Sequence, residues 1–225
     1  MKIGRNSRKA LIHTSRRARK GVEADFAEVY EQFYNRRFEY RQKMFSVPTD
    51  NFPLMSIDEY VSTRSHKWLL FQYSEHRREH SGKERRKCIR IENNVAGEKA
   101  ALELIEAPGR KWIVRWAVHF FSRYVERMGF SNEGEGILRT FFRRNKRYLI
   151  ATKQDGTLDS NARYDVVIFT EDGAGLGVKK GRRIVITTFL PKRYFAKWQQ
   201  DIYERFEQDS KITLLTLEEF IENMN

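Results

Sequence analysis

The stretch Trp112-Ile113-Val114-Arg115-Trp116-Ala117-Val118-His119-Phe120-Phe121-Ser122-Arg123-Tyr124-Val125-Glu126-Arg127-Met128 sorts at helical spacing into two faces. Ile113, Ala117, Phe120, Phe121, Tyr124 and Met128 step as an apolar stripe suited to a core. Arg115, His119, Ser122, Arg123 and Glu126 fall opposite, with Trp112 and Trp116 at the edge. A helix over 112–128 therefore sets His119 between two arginines, one turn away on either side. That arrangement suits acid/base chemistry on a phosphate, and it also describes an ordinary hydrated helix face.

Outward from this stretch, charge is the strongest global signal. A formal net charge of +13 and a pI near 9.9 predict attraction to a polyanion, nucleic acid before an anionic membrane surface. A ribosome-associated or phage-encoded factor shares this bias, so charge names a partner class and no activity. The single cysteine, Cys88, excludes an intramolecular disulfide and fits a reducing, cytoplasmic setting. No apolar run approaches the ~20 residues of a membrane span, so no membrane partner is expected. Residues 1–21 carry Lys2, Arg5, Arg8, Lys9, Arg16, Arg17, Arg19 and Lys20 without an acid, and read as a basic arm that orders on nucleic acid.

Three regions are expected: the arm (1–21), a helical region (22–110) and an α+β domain (111–225). In the second, Val22, Phe26, Val29, Tyr30, Phe33 and Phe38 approximate one helix face, with Arg36, Arg37, Arg41 and Lys43 at its far end. Ser56-Ile57-Asp58-Glu59 reads as a capping box opening a helix to about His80, where Ser81-Gly82 stops it. His76 and His80 have a metal-compatible spacing, but the two intervening arginines favour a solvated face. Lys83–Arg90 is a basic cluster, a phosphate contact or a plain hydrated surface. A further helix is expected over 95–106, ended by Ala107-Pro108-Gly109.

The second half changes character. The 112–128 helix closes at Gly129, and Asn132 opens another whose buried side is Ile137, Leu138, Phe141 and Phe142. Strands over 148–152, 164–170, 176–179 and 183–190, separated by Asp-Gly and Lys-Gly turn signals, predict an antiparallel meander. Gly173-Ala174-Gly175-Leu176-Gly177 is followed by a strand, so it reads as a hairpin and not a phosphate loop. Pro191 suits the start of a helix to about Glu207, and Thr216-Leu217-Glu218-Glu219 caps a last short one. The fold class is α+β: a helical N-terminal region followed by a small antiparallel sheet packed on helices.

No set of convergent carboxylates suggests a two-metal nuclease, and no metal or cofactor is expected. RNA carries its own nucleophile, the 2′-hydroxyl, so its cleavage needs only an acid/base, a cation and a hydroxyl donor. His119, Arg123 and Arg115 supply the first two. Thr187 and Thr188 at the end of the last strand, with Lys192, Arg193 and Tyr194 beyond, supply the third.

The segment from His119 to Ser131, a short helix, and a meander ending in Ile184–Pro191 resembles the barnase–EndoU–colicin–RelE superfamily of metal-independent ribonucleases. The resemblance covers about residues 112–195. It implies an endoribonuclease that transesterifies RNA to a 2′,3′-cyclic phosphate. His119 would be the general acid/base, Arg123 the phosphate clamp, and Thr187 or Thr188 the hydroxyl donor. Arg115, Lys192, Arg193, Tyr194, Trp112 and Trp116 would bind substrate. RNA is the expected partner, free or ribosome-bound, with room for a protein inhibitor as in toxin-like members. A non-catalytic nucleic-acid-binding or ribosome-associated factor is the alternative from a different class.

Overall fold

A computed structural model describes residues 16–48, 51–74, 85–93, 97–107, 110–131, 133–153, 158, 163–208 and 214–216. Most of the basic arm, the His76/His80 pair, Lys83 and Glu84, Pro108-Gly109, Asn132, the Asp155-Gly156 turn and the Leu217–Glu219 cap lie outside the described residues. The chain is α+β with a large mixed sheet. Chain contacts divide it into two compact units, Met1–Glu92 and Asn93–Asn225, and not at residue 110.

The first unit holds α1 (Arg16–Asn35) and α2 (Arg37–Ser46), then β1 (Leu54–Val61), β2 (Lys67–Ser74) and β3 (Arg85–Asn93). The helix expected from Ser56 to His80 is a β-hairpin instead. Strands β1 and β2 pair antiparallel from Leu54↔Ser74 to Val61↔Lys67, and β3 continues the meander from Trp68↔Arg90 to Tyr73↔Arg85. The capping-box signal lost to strand propensity and burial: Trp68-Leu69-Leu70-Phe71 is buried on both faces, which a surface helix cannot achieve. Helix α1 packs Val29 and Phe33 against Trp68, Leu70 and Cys88. Cys88 is thus a buried core residue. The expected 83–90 surface cluster is, from Arg85 onward, part of a strand, with Ile89 fully buried and Arg90 only 11% exposed.

The second unit contains β4 (Lys99–Ala107), β5 (Arg110–Trp116), α3 (Val118–Met128), α4 (Glu135–Arg144), β6 (Tyr148–Thr152), β7 (Val166–Thr170), β8 (Gly173–Lys180), β9 (Arg183–Pro191), α5 (Lys197–Gln208) and β10 (Leu214–Thr216). Its strands run in the order β4-β5-β9-β8-β7-β6-β10. The expected meander forms over β6–β9, all antiparallel. The sheet is nevertheless larger than expected and mixed, because β5 joins β9 and β10 joins β6 in parallel. The helix expected over 95–106 is β4, which pairs antiparallel with β5.

The 112–128 stretch is half strand and half helix. Its first residues alternate, with Trp112, Val114 and Trp116 buried and Ile113 and Arg115 half-buried. Period two with aromatic and β-branched residues is a strand pattern, and pairing on both sides with β4 and β9 selects it. The helix begins only after Ala117 (ψ 158°) and ends at Gly129, whose φ of 72° suits glycine. Pro191 likewise ends β9, followed by a short turn at Lys192–Tyr194 before α5.

Both faces of this sheet are covered. On one, Trp116 lies 4.9 Å from Phe120 and 5.0 Å from Phe141 between ring centroids, and Phe189 lies 4.9 Å from Tyr124. On the other, Leu149, Val167, Phe169, Ala174 and Leu176 pack with Tyr203 and Phe206 of α5. The glycines of β8 explain how helix aromatics reach the sheet. A Cβ at Gly175 would sit 2.7 Å from Ile186 Cγ2 and 3.1 Å from Trp116 Cζ3. At Gly177, beside a bulge in the β8–β9 register, it would overlap the Val185 carbonyl oxygen. Gly177→Ala should therefore destabilise the protein by about 3 kcal/mol or more, since backbone must move. Gly175→Ala should cost less, because a methyl and a ring edge can shift. Urea midpoints of the two variants check the order.

Candidate nucleic-acid interface

The residues expected to form a ribonuclease centre are not gathered into one. His119 is exposed on the first turn of α3 and has no hydrogen-bond or ion-pair partner among the described residues. Arg123 pairs along its own helix with Glu126. Thr188 sits opposite Leu176, which belongs to the α5 side, so the sheet lies between Thr188 and α3. Thr187 is the extra residue of the bulge, and its hydroxyl donates to the Leu176 carbonyl at 3.4 Å. An open groove of about 420 Å³ does run beside α3, lined by Val118, Phe121, Ser122, Val125 and Ile137 with Glu98, Lys99 and Glu133. His119 is not among its walls, and its two carboxylates outnumber its single lysine.

The expected substrate-binding set is also dispersed. Trp112 and Trp116 are buried, which overturns a stacking role for them. Trp116 instead donates its indole N–H to Glu103 at 3.1 Å, and Tyr148 donates to the same carboxylate oxygen at 3.0 Å. Arg115 lies on β5, paired with Leu102 and Val185. Lys192 reaches Glu207 at 2.5 Å, and Arg193 donates to the Arg127 carbonyl at 2.9 Å. Tyr194 is exposed.

Asp172, expected only as a turn residue, anchors the α3–α4 pair to the sheet. Tyr124 donates to it at 2.5 Å, Arg144 grips both oxygens at 2.8 and 2.7 Å, and Asn145 donates at 3.1 Å. Burial raises the Asp172 carboxyl pKa, but these donors outweigh it and hold the group below its ordinary value. Burial and the carboxylate together push the Tyr124 hydroxyl up, so it stays a donor. Every member of this set has an internal partner, and its role is structural.

The first unit carries two features that local sequence patterns do not reveal. One is a row of aromatic rings on α1 and α2. Tyr30, Tyr34 and Phe38 are spaced four residues apart across a nearly continuous helical path, in which Arg36 N–H still donates to Gln32 and Tyr40 N–H to Arg36. With Phe45 they are between 48% and 59% exposed. Residues four apart share a helix face, so these rings follow one line. Arg36 and Arg41 stand half-buried among them and Lys43 is exposed. Of the face expected from the sequence, Val22, Val29 and Phe33 are buried, whereas Tyr30 and Phe38 are exposed.

The second feature is Asp25, which occupies that core face at i+3 from Val22 and is 0% exposed. A carboxylate there must be met by partners. Arg64 Nη1 reaches Oδ1 at 2.9 Å, His66 Nδ1 contacts Oδ2, and Arg90 Nη1 stands 3.8 Å away. The tight turn between β1 and β2 makes this possible. Ser65 adopts a positive φ of 61°, Ser65 N–H donates to Ser62, and His66 N–H donates to the Ser62 hydroxyl. One turn along α1, Glu28 accepts from Tyr60 at 2.7 Å and from Thr63 N–H and hydroxyl at 2.8 and 2.7 Å. The bonds from Thr63, then Tyr60, hold the Glu28 carboxyl below its ordinary value. A charged residue on an apolar stripe was the one visible sign of this cluster in the sequence.

In comparisons with known proteins the chain matches no family model, no curated protein and no solved structure. No helix among the described residues is long and apolar enough to cross a membrane.

Proposed function

We propose that the protein binds single-stranded RNA, with the α1–α2 face as its contact surface. The observation that carries this reading is the row of Tyr30, Tyr34, Phe38 and Phe45 interleaved with Arg36, Arg41 and Lys43 on a chain of net charge +13. Exposed rings at regular spacing offer platforms on which unpaired bases stack, and the cations beside them neutralise the backbone. Duplex would use the cations but not the rings, since its bases already stack on one another. The reading takes over the stacking role that Trp112 and Trp116 cannot fill from inside the core.

Fluorescence anisotropy of a labelled single-stranded RNA tests it. Affinity should fall linearly with the logarithm of salt concentration, by about 0.7 decades per decade of salt for each phosphate neutralised. Tyr34→Ala with Phe38→Ala should weaken binding by about 1–3 kcal/mol per stacked base, with little change in the salt slope. Binding that the double variant leaves untouched would remove this face from the interaction, and no binding at low salt would end the reading.

A further inference from the structure

We infer that Arg41 reads a guanine in the bound strand, so that the α1–α2 face selects single-stranded RNA by base as well as by strandedness. The inference rests on the RNA-binding reading, because it assigns a role within that same surface. Arg36 and Lys43 are left to the backbone, and Arg41 takes a base.

Within α2, Phe38, Arg41 and Phe45 step as i, i+3 and i+7. At about 100° per residue, Phe38 and Phe45 come within about 20° of one line along the helix, and Arg41 lies about 40–60° to one side of it. That side is the one nearer the sheet. Tyr40 is buried and its hydroxyl donates to the Leu54 carbonyl at 3.2 Å, which fixes the rotation of α2 and turns the two rings outward.

Arg41 is held at the inner edge of the ring line. Its side chain is half-buried, and its Nε is enclosed without an acceptor among the described residues. No carboxylate among the described residues pairs with it. A guanidinium enclosed at Nε presents its two terminal nitrogens as a planar fork of donors. The group that completes the fork brings two adjacent acceptors, beside the line of rings and not on it.

Spacing puts a base edge there. Phe38 and Phe45 are seven residues apart, about 10.5 Å along the axis at ~1.5 Å per residue. Bases stacked on the two rings are then separated by about three times the ~3.4 Å rise of a stacked strand, which leaves room for one base between them. Arg41 is the side chain at that level. Guanine offers its O6 carbonyl and the neighbouring ring nitrogen as two acceptors on one edge, the pair that arginine grips bidentately. On the corresponding edge adenine and cytosine set an amino group, which meets Arg41 donor to donor, and uracil has a carbonyl alone. Two oxygens of a phosphate fit the same fork, and the test separates the two.

The test uses the full-length protein and fluorescence anisotropy of labelled uridine octamers that carry guanosine, adenosine or 7-deazaguanosine at one central position. The guanosine octamer should bind about tenfold or more tighter than the adenosine one. Removing only the ring-nitrogen acceptor, as 7-deazaguanosine does, should abolish most of that preference. This comparison leaves the protein unchanged, so no folding defect can produce it. Arg41→Lys keeps the charge without the fork and Arg41→Ala removes both; either should bring the guanosine-to-adenosine ratio to about one. Because Arg41 meets a base and not a phosphate, Arg41→Ala should keep the parent's salt slope. Equal binding of the guanosine and adenosine octamers, or a slope that falls by about 0.7 in Arg41→Ala, overturns the inference and leaves the binding reading standing. A guanosine preference that survives both Arg41 variants puts the reading group elsewhere and overturns it as well. Octamers that all stay unbound at low salt fail the binding reading first, and base selection with it.

Discussion

Trp116→Ala is expected to lower the free energy of unfolding by about 3–5 kcal/mol, the range for removing a fully buried large aromatic. Three losses combine at this position. Ring contacts to Phe120, Phe141, Phe142 and Tyr148 disappear together. The space above Gly175 is left unfilled, because that glycine has no side chain to offer. Glu103, only 4% exposed, keeps Tyr148 as a donor but loses the indole N–H. Trp116→Phe should recover much of the packing and none of the hydrogen bond. Urea unfolding followed by circular dichroism measures the change. RNA anisotropy on the fraction that remains folded separates packing from recognition: affinity should be that of the parent. A Trp116→Ala protein that is fully stable but binds RNA weakly would mean the indole faces substrate after all.

The second large effect is expected at Asp172. Asp172→Ala should cost about 2–4 kcal/mol, somewhat below the about 3–5 kcal/mol of breaking a fully buried pair. Arg144, with its side chain 46% exposed, can turn to water once its partner is gone. Tyr124 cannot, since it is 0% exposed and its hydroxyl loses the carboxylate it donates to, whereas Asn145 keeps its bond to the Phe141 carbonyl at 2.9 Å. The pH dependence follows from the sign of the shift. The folded Asp172 carboxyl lies below the ordinary value of 3.8, so its contribution is fully present above that value. It is lost as pH falls through the lower folded-state value. Asp172→Asn should therefore flatten the acid limb of stability below about pH 4 while lowering the plateau above it. Unfolding midpoints from about pH 6 down to about pH 2 check this, and an acid limb unchanged from the parent would show that other carboxylates govern it.

How much of this was legible in the chain differs by element. The β6–β9 meander was, because its turn signals and alternating segments are local. The buried sides of α3 and α4 were too, since Phe120, Phe121, Tyr124, Ile137, Leu138, Phe141 and Phe142 sit at helical spacing regardless of what covers them. The 56–74 hairpin was hidden for the opposite reason. Ser56-Ile57-Asp58-Glu59 is a credible helix start, and only the long-range pairing of β1 with β2 and β3 overrides it. Residues 112–116 obey both a 3.6 and a 2.0 period, and the partners on either side chose between them. The sites follow the same division. His119 stood out because its neighbours in sequence are charged, whereas His66 did not, because its carboxylate is 41 residues away on α1.

Taken alone, the sequence determined the quantities that add up residue by residue: a strongly basic chain of net charge +13, an α+β composition, the meander and the apolar stripes of its helices. Tertiary structure decided everything that depends on which residues meet. It buried Trp112 and Trp116 and exposed Tyr30, Tyr34 and Phe38. It put a sheet between α3 and Thr188, and it brought Asp25, Arg64, His66 and Arg90 to one point. The reason is that burial and pairing are properties of contacts between distant segments, and a local pattern constrains only the face a residue takes, not what that face will find.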